Sequence, residues 1–180
     1  MLFKIAETTA ALTRLKPVWN DRNISLSFKI WLMHSLVTSI FFYACESWTL
    51  TAELQRRIQA KEMRCYRKIL CISYKDHVTN KEVCAKFQQA IGPHKDLTMV
   101  KRCKLHWYSH VCRSSGLAKT ILQGTVKGGR RQRRWRKRWE DNIREWTGLK
   151  FAKSQRAVEN RENGGNWLWN HLWCPNNPHG

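Results

Sequence analysis

The longest apolar run in the chain, Ile30 to Cys45 (IWLMHSLVTSIFFYAC), sets the first limit on the fold. It spans 16 residues and contains His34 and two serines. A membrane-spanning helix needs about 20 apolar residues. The run therefore reads as a core helix that other elements must cover. A membrane-associated protein anchored by residues 30–45 is the alternative, and carbonate extraction separates the two.

The elements that would cover it also read as helices. Leu2, Ile5, Ala6, Leu12 and Leu15 place a helix over 2–16, which Pro17 and the polar segment Asn20–Asn23 break. Ser25 is positioned to cap the apolar helix and Thr51 to cap a third, Ala52 to Leu70. In that third helix Leu54, Ile58, Cys65 and Ile69 share one face. Arg56, Arg57, Lys61, Arg64, Arg67 and Lys68 are expected on the other faces. A short helix is expected over 81–90. Another runs from Asp96 or Thr98 to Cys112, with Val100, Cys103, Trp107 and Val111 inward. Two more are expected over 132–146 and 154–162. No segment alternates apolar and polar residues, and no Asn-Gly hairpin turn occurs. The expected fold is mainly α, an irregular helical bundle with a basic carboxy-terminal helix.

Charge narrows the partner. Lys and Arg total 33 against 13 Asp and Glu, a formal net charge of +20. The surplus peaks between Lys127 and Arg138, where eight of twelve residues are basic and none is acidic. Such density points to a polyanion, with RNA, DNA or an RNA–DNA hybrid the natural class. Trp135, Trp139, Ile143 and Trp146 step by 4, 4 and 3, which favours core packing over base stacking. Arg130, Arg131, Arg133, Arg134, Arg136, Lys137 and Arg138 are then the phosphate contacts, followed by Arg56, Arg57, Arg64, Arg67 and Lys68. The same basic run also suits a nuclear import signal.

No catalytic set is visible: no G-x-S-x-G, P-loop, H-E-x-x-H or paired carboxylates suited to two metal ions. No cofactor and no small-molecule substrate are implied. Cys103, His106, His110 and Cys112 form C-x2-H-x3-H-x-C, a weak metal candidate without a paired C-x2-C. Glu140-Asp141 reads as surface charge. Seven scattered cysteines and no recognisable signal peptide suit reduced thiols in the nucleus or cytoplasm, not a secreted chain.

Four segments together carry a family resemblance: SLVTSIFFYACESWTL, RRIQAKEMRCYRKILCISYKDHVTN, KLHWYSHVCR and the RWRKRWEDNIREW region. In this order they resemble the carboxy-terminal part of non-LTR retrotransposon endonuclease–reverse transcriptases, over roughly residues 1–163. Ser109 stands where the family pattern has Gly. The resemblance implies the thumb and post-thumb region, a helical bundle that grips primer–template duplex by its backbone. The family's Y-x-D-D palm motif is not in this sequence, nor is its endonuclease domain. No polymerase activity is expected of this chain alone, and an open reading frame without selected function is a further alternative. The expected organisation is a thumb-like domain over 1–115, a basic Gly-containing linker over 116–131 and a Trp-striped basic segment over 132–163. A disordered tail follows over 164–180. With chosen synonymous codons, a shifted frame near Asn163 reads W-R-K-L-V, similar to the family's continuation after N-R-E. The tail is then out-of-frame sequence, with a genuine tail as the alternative.

Overall fold

A computed structural model of the chain describes residues 2–91, 96–122 and 137–159. The expected tail, the glycine-rich part of the linker and five of the candidate arginines lie outside the described residues. Among the described residues the fold is mainly α, with no strand. Two compact units form, one from residues 1–45 and 51–100, the other from 46–50 and 101 onward.

In the first unit, α1 (Leu2–Arg14) is followed at once by α2 (Lys16–Asn20). Pro17 does not simply break the chain. It sits in the first turn of α2, where its missing N–H costs nothing. Ser25 caps α3 (Leu26–Leu32) by accepting from the Phe28 N–H at 3.3 Å, as expected. A π-helical stretch, Met33–Thr38, continues α3 into α4 (Ser39–Phe42). Ile30, Met33, Val37 and Phe41 recur at 3, 4 and 4 and are all buried. One face of the apolar run thus enters the core, while Trp31, Leu36 and Tyr43 on the other faces stay exposed, and no described helix is long and apolar enough to cross a membrane.

Thr51 caps α5 (Ala52–Ile69), again as expected. Cys71, at φ 53°, turns the chain out of α5 and donates its thiol to the Trp19 carbonyl at 3.2 Å. Helix α6 (Asn80–Ile91) then packs back on α5, with Phe87 stacked on Tyr66. Trp19 is fully buried and donates its indole N–H to the Leu12 carbonyl at 2.8 Å. Lys29, also buried, donates to the Trp19 carbonyl at 2.8 Å and so ties α3 to the end of α2.

Helix α7 (Asp96–Arg113) begins in the first unit and continues in the second. Its inward stripe departs from the expected one. Val100 and Val111 are buried, but Trp107 is 37% exposed, while Lys104, Leu105, Tyr108 and Cys112 are buried. Reading only apolar residues skips Lys104, the side chain that sets the true face. Helix α8 (Leu117–Leu122) occupies part of the expected linker.

The last basic helix is shorter than expected. Helix α9 (Trp139–Thr147) has Arg138 as an extended N-cap, so no continuous helix runs from Gln132 through that residue. Asp141, three residues on, accepts from the Arg138 N–H at 2.7 Å. Glu140 and Asp141, read as plain surface charge, also oppose the helix dipole in the first turn. Gly148, at φ +67°, ends α9 in a conformation that costs other residues more. Helix α10 (Phe151–Glu159) presents Ser154 to the Tyr108 hydroxyl at 2.7 Å. Leu105, Tyr108, Cys112, Ile143 and Val158 form the core of this unit, with Trp139 and Trp146 packed on it. That is the role their spacing indicates; Trp135 lies outside the described residues.

Lys104 organises the second unit. Its ammonium, 0% exposed, donates to the Trp48 carbonyl at 2.7 Å and to Asn142 Oδ1 at 3.0 Å. It lies 4.4 Å from the Trp139 ring centroid and 5.6 Å from that of Trp146. Asn142 completes the node by exchanging two hydrogen bonds with the Leu50 backbone, at 2.7 and 2.9 Å. Burial, and secondarily the charge of Lys137, holds Lys104 down to about 7. An unfolded lysine titrates near ~10.4, so above pH ~7 the unfolded chain holds a proton that the folded chain has released. This contribution makes stability rise with pH. Buried Cys65, pushed up to about 11, acts in the opposite sense above pH ~8.5. Urea unfolding is therefore expected to show Lys104→Met losing stability relative to wild type as pH rises from about 7 to 8.5. A pH-independent difference would contradict this titration.

Candidate nucleic-acid interface

Helix α5 carries the best-placed cluster of candidate residues. Its inward face is Ile58, Lys61, Glu62, Cys65, Tyr66 and Ile69, all buried. Lys61 was expected outward with the other cations; it is not. Its ammonium bonds Asp96 Oδ2 at 2.8 Å, both side chains being at most 6% exposed, and lies 4.0 Å from the Phe41 ring centroid. Glu62 beside it accepts from the Tyr66 hydroxyl at 2.6 Å and from the Asp96 N–H at 3.1 Å. Burial, then the Glu62 bond, pushes the Tyr66 phenol up. Breaking such a buried pair by removing one partner costs about 3–5 kcal/mol. This node fixes the rotation of α5 and hence the side from which its remaining cations project.

Those cations are not equivalent. Arg56 and Arg57 both pair with Glu53, whose carboxyl is held below its ordinary range first by the Arg57 hydrogen bond and then by the charge of Arg56. Arg67 is half-buried and donates to the Val78 carbonyl at 2.7 Å and to Asn80 Oδ1 at 3.0 Å, clamping α5 to the start of α6. Arg64 and Lys68 are exposed. They carry no hydrogen bond or ion pair among the described residues.

Arg56, Arg64, Arg67 and Lys68 line one open groove of about 840 Å³, and among the described residues no carboxylate lines it. Arg57 is not among its lining residues. From Arg56 to Arg64 to Lys68 the helix axis rises about 12 Å and then about 6 Å. Asn20, Gln59, Ser73 and Asn80 add amide and hydroxyl groups to the walls. Nothing in the local sequence marks these four as site residues. Asn20 in particular arrives from α2 only through the fold.

Lys137 and Arg138 belong to the second unit, and both are exposed. Lys137 pairs with Glu145, and Arg138 pairs with Glu140 at 3.3 Å. Arg130, Arg131, Arg133, Arg134 and Arg136 lie outside the described residues.

The metal candidate is not assembled. At 3.6 residues per turn, the nine-residue step from Cys103 to Cys112 puts them on opposite sides of α7. Cys112 is buried in the core, and burial raises its thiol, while His106 and His110 are exposed. Among the described residues no group of three His, Cys, Asp or Glu is placed to hold a metal ion. No disulfide joins the described cysteines.

Compared with models of known families, with curated proteins and with solved structures, the chain finds no match.

The split among the α5 cations has a direct consequence for stability. Arg67→Ala is expected to cost about 1–2 kcal/mol in urea unfolding, because two acceptors lose their donor. Arg64→Ala and Lys68→Ala should each stay within about 0.5 kcal/mol of wild type. Equal costs at the three positions would contradict the assignment of Arg67 as the clamp.

Proposed function

We propose that this chain binds the phosphate backbone of RNA, DNA or an RNA–DNA hybrid, without sequence choice, through the basic groove of α5. The observation that carries this reading is the groove itself, where four cations line one open channel and no acid stands among its described lining residues. Arg64 and Lys68 are the residues free to exchange water for phosphate. Arg56 is exposed but paired with Glu53, and Arg67 is a clamped, half-buried guanidinium. Phosphate contacts of this kind supply affinity and register but read no bases. The basic run from Arg130 to Arg138 adds charge to the same task.

The four sequence segments support a more specific origin, the thumb and post-thumb part of a non-LTR retrotransposon reverse transcriptase. In that reading the chain holds nucleic acid in the nucleus or cytoplasm and catalyses no polymerisation. Two-metal phosphoryl transfer needs clustered carboxylates, and the sequence supplies no such set.

Fluorescence anisotropy with a labelled oligonucleotide, titrated with salt, tests the binding. Log affinity is expected to fall linearly with log salt between about 50 and 200 mM. The double variant Arg64→Ala, Lys68→Ala should flatten that slope by about 1.4–1.8, the loss of two phosphate contacts. Affinity independent of salt, or a slope unchanged in the double variant, would overturn the proposal.

A further inference from the structure

A second groove runs along the other flank of α5, between it and α1. It encloses about 930 Å³ and is chemically unlike the first. Leu2, Ile5, Ala6 and Ala10 from α1 and Ala60 from α5 give it an apolar floor. Thr9 and Thr13 also line it, but their hydroxyls are already spent. Thr9 donates to the Ile5 carbonyl and Thr13 to the Thr9 carbonyl, both at 2.8 Å. These residues offer methyl groups and leave no free hydroxyl proton for a phosphate. Leu2 is 55% exposed at one end, so apolar surface is left in water.

The rim is basic. Arg14, Arg57 and Arg64 line it, and among the described residues no acidic one does. Arg57 is held by Glu53, and Lys61 is already committed to Asp96. Arg14 and Arg64 carry no ion pair among the described residues. A chain of net charge +20 repels any basic partner, so an occupant must bring negative charge as well as apolar side chains.

We propose that this groove docks an amphipathic helix with apolar residues on one face and Asp or Glu along its edges. The shape fits that occupant. From Leu2 to Thr13 the groove follows α1 for about 16 Å, the length of three helical turns. The alanines at 6, 10 and 60 leave room for a third helix to approach at about 8–10 Å between axes. The recognition is apolar side chains at i, i+3, i+4 and i+7 set into a groove, with charge pairs at the rim fixing orientation. This site does not depend on the phosphate reading. Ala6 lines only the apolar groove and Lys68 only the basic one.

Two exposed-site variants separate the grooves: Ala6→Glu, on the outer face of α1, and Lys68→Glu, on the outer face of α5. The probe is a fluorescein-labelled 14-residue helical peptide with leucines at that spacing and flanking glutamates. A scrambled peptide of the same composition is the control. Anisotropy on the full chain is expected to show the amphipathic peptide binding at least about tenfold tighter than the scrambled one. Ala6→Glu should weaken it by about tenfold, and Lys68→Glu by no more than about twofold. Oligonucleotide affinity should respond in the opposite order, and circular dichroism should show both variants as helical as wild type. Equal binding of the scrambled peptide, or indifference to Ala6→Glu, would overturn the proposal.

Discussion

Among the described residues Lys29, Lys61 and Lys104 are buried, and the cost of burying a lysine shapes both units. An ammonium taken from water is tolerated only where acceptors replace the lost hydration. Three lysines meet that condition, each by reaching a distant part of the chain. Lys29 takes the Trp19 carbonyl, Lys61 takes Asp96, and Lys104 takes the Trp48 carbonyl and Asn142 Oδ1. Each joins elements that apolar contact alone would let slide. Lys104 has no carboxylate bonded to it, and its two tryptophan faces and two oxygen acceptors stand in for one. They only partly offset the cost of burial, which, with the charge of Lys137, holds its titration down to about 7.

The Lys61 node links this internal economy to the surface. Lys61, Glu62, Tyr66 and the N-terminus of α7 at Asp96 lock one face of α5 inward, through bonds of 2.6 to 3.1 Å. With that face fixed, Arg64 and Lys68 can only point out. Ala60 and Arg64 form the ridge that separates the basic groove from the apolar one, since both residues line each of them. One helix thus presents two surfaces of different chemistry, one basic and proposed to meet phosphate, the other apolar with a basic rim and proposed to dock a helix with acidic edges.

Helix boundaries were legible where local chemistry sets them. Ser25 and Thr51 announce their helices because N-caps are local hydrogen bonds, and Asp96 opens α7 as the sequence indicates. Burial was legible where it is apolar, as at Ile58, Cys65 and Ile69. It failed at Lys61 and Lys104, because a lysine reads as surface until the fold supplies its acceptors. The same blindness rotated the expected inner face of α7 toward Trp107. The helix start at Trp139 was missed because the tryptophan spacing continues smoothly across Arg138, and only the backbone reveals the break. For the site, the cations of α5 were legible by type. Their sorting into free, paired and clamping members was not, since it rests on Glu53, Val78 and Asn80. Asn20 could not be found at all without α2 folded against α5.

The central claim is that the outward face of α5 is where phosphate is met, and side-chain resonances report this most directly. Arginine and lysine side chains are followed by nuclear magnetic resonance as an oligonucleotide is added to the full chain. Saturable shifts are expected at the Arg56, Arg64 and Arg67 guanidinium groups and the Lys68 ammonium, with Arg113 and Arg144 unmoved. If those four stay in place while the oligonucleotide binds elsewhere, the basic groove is not the interface.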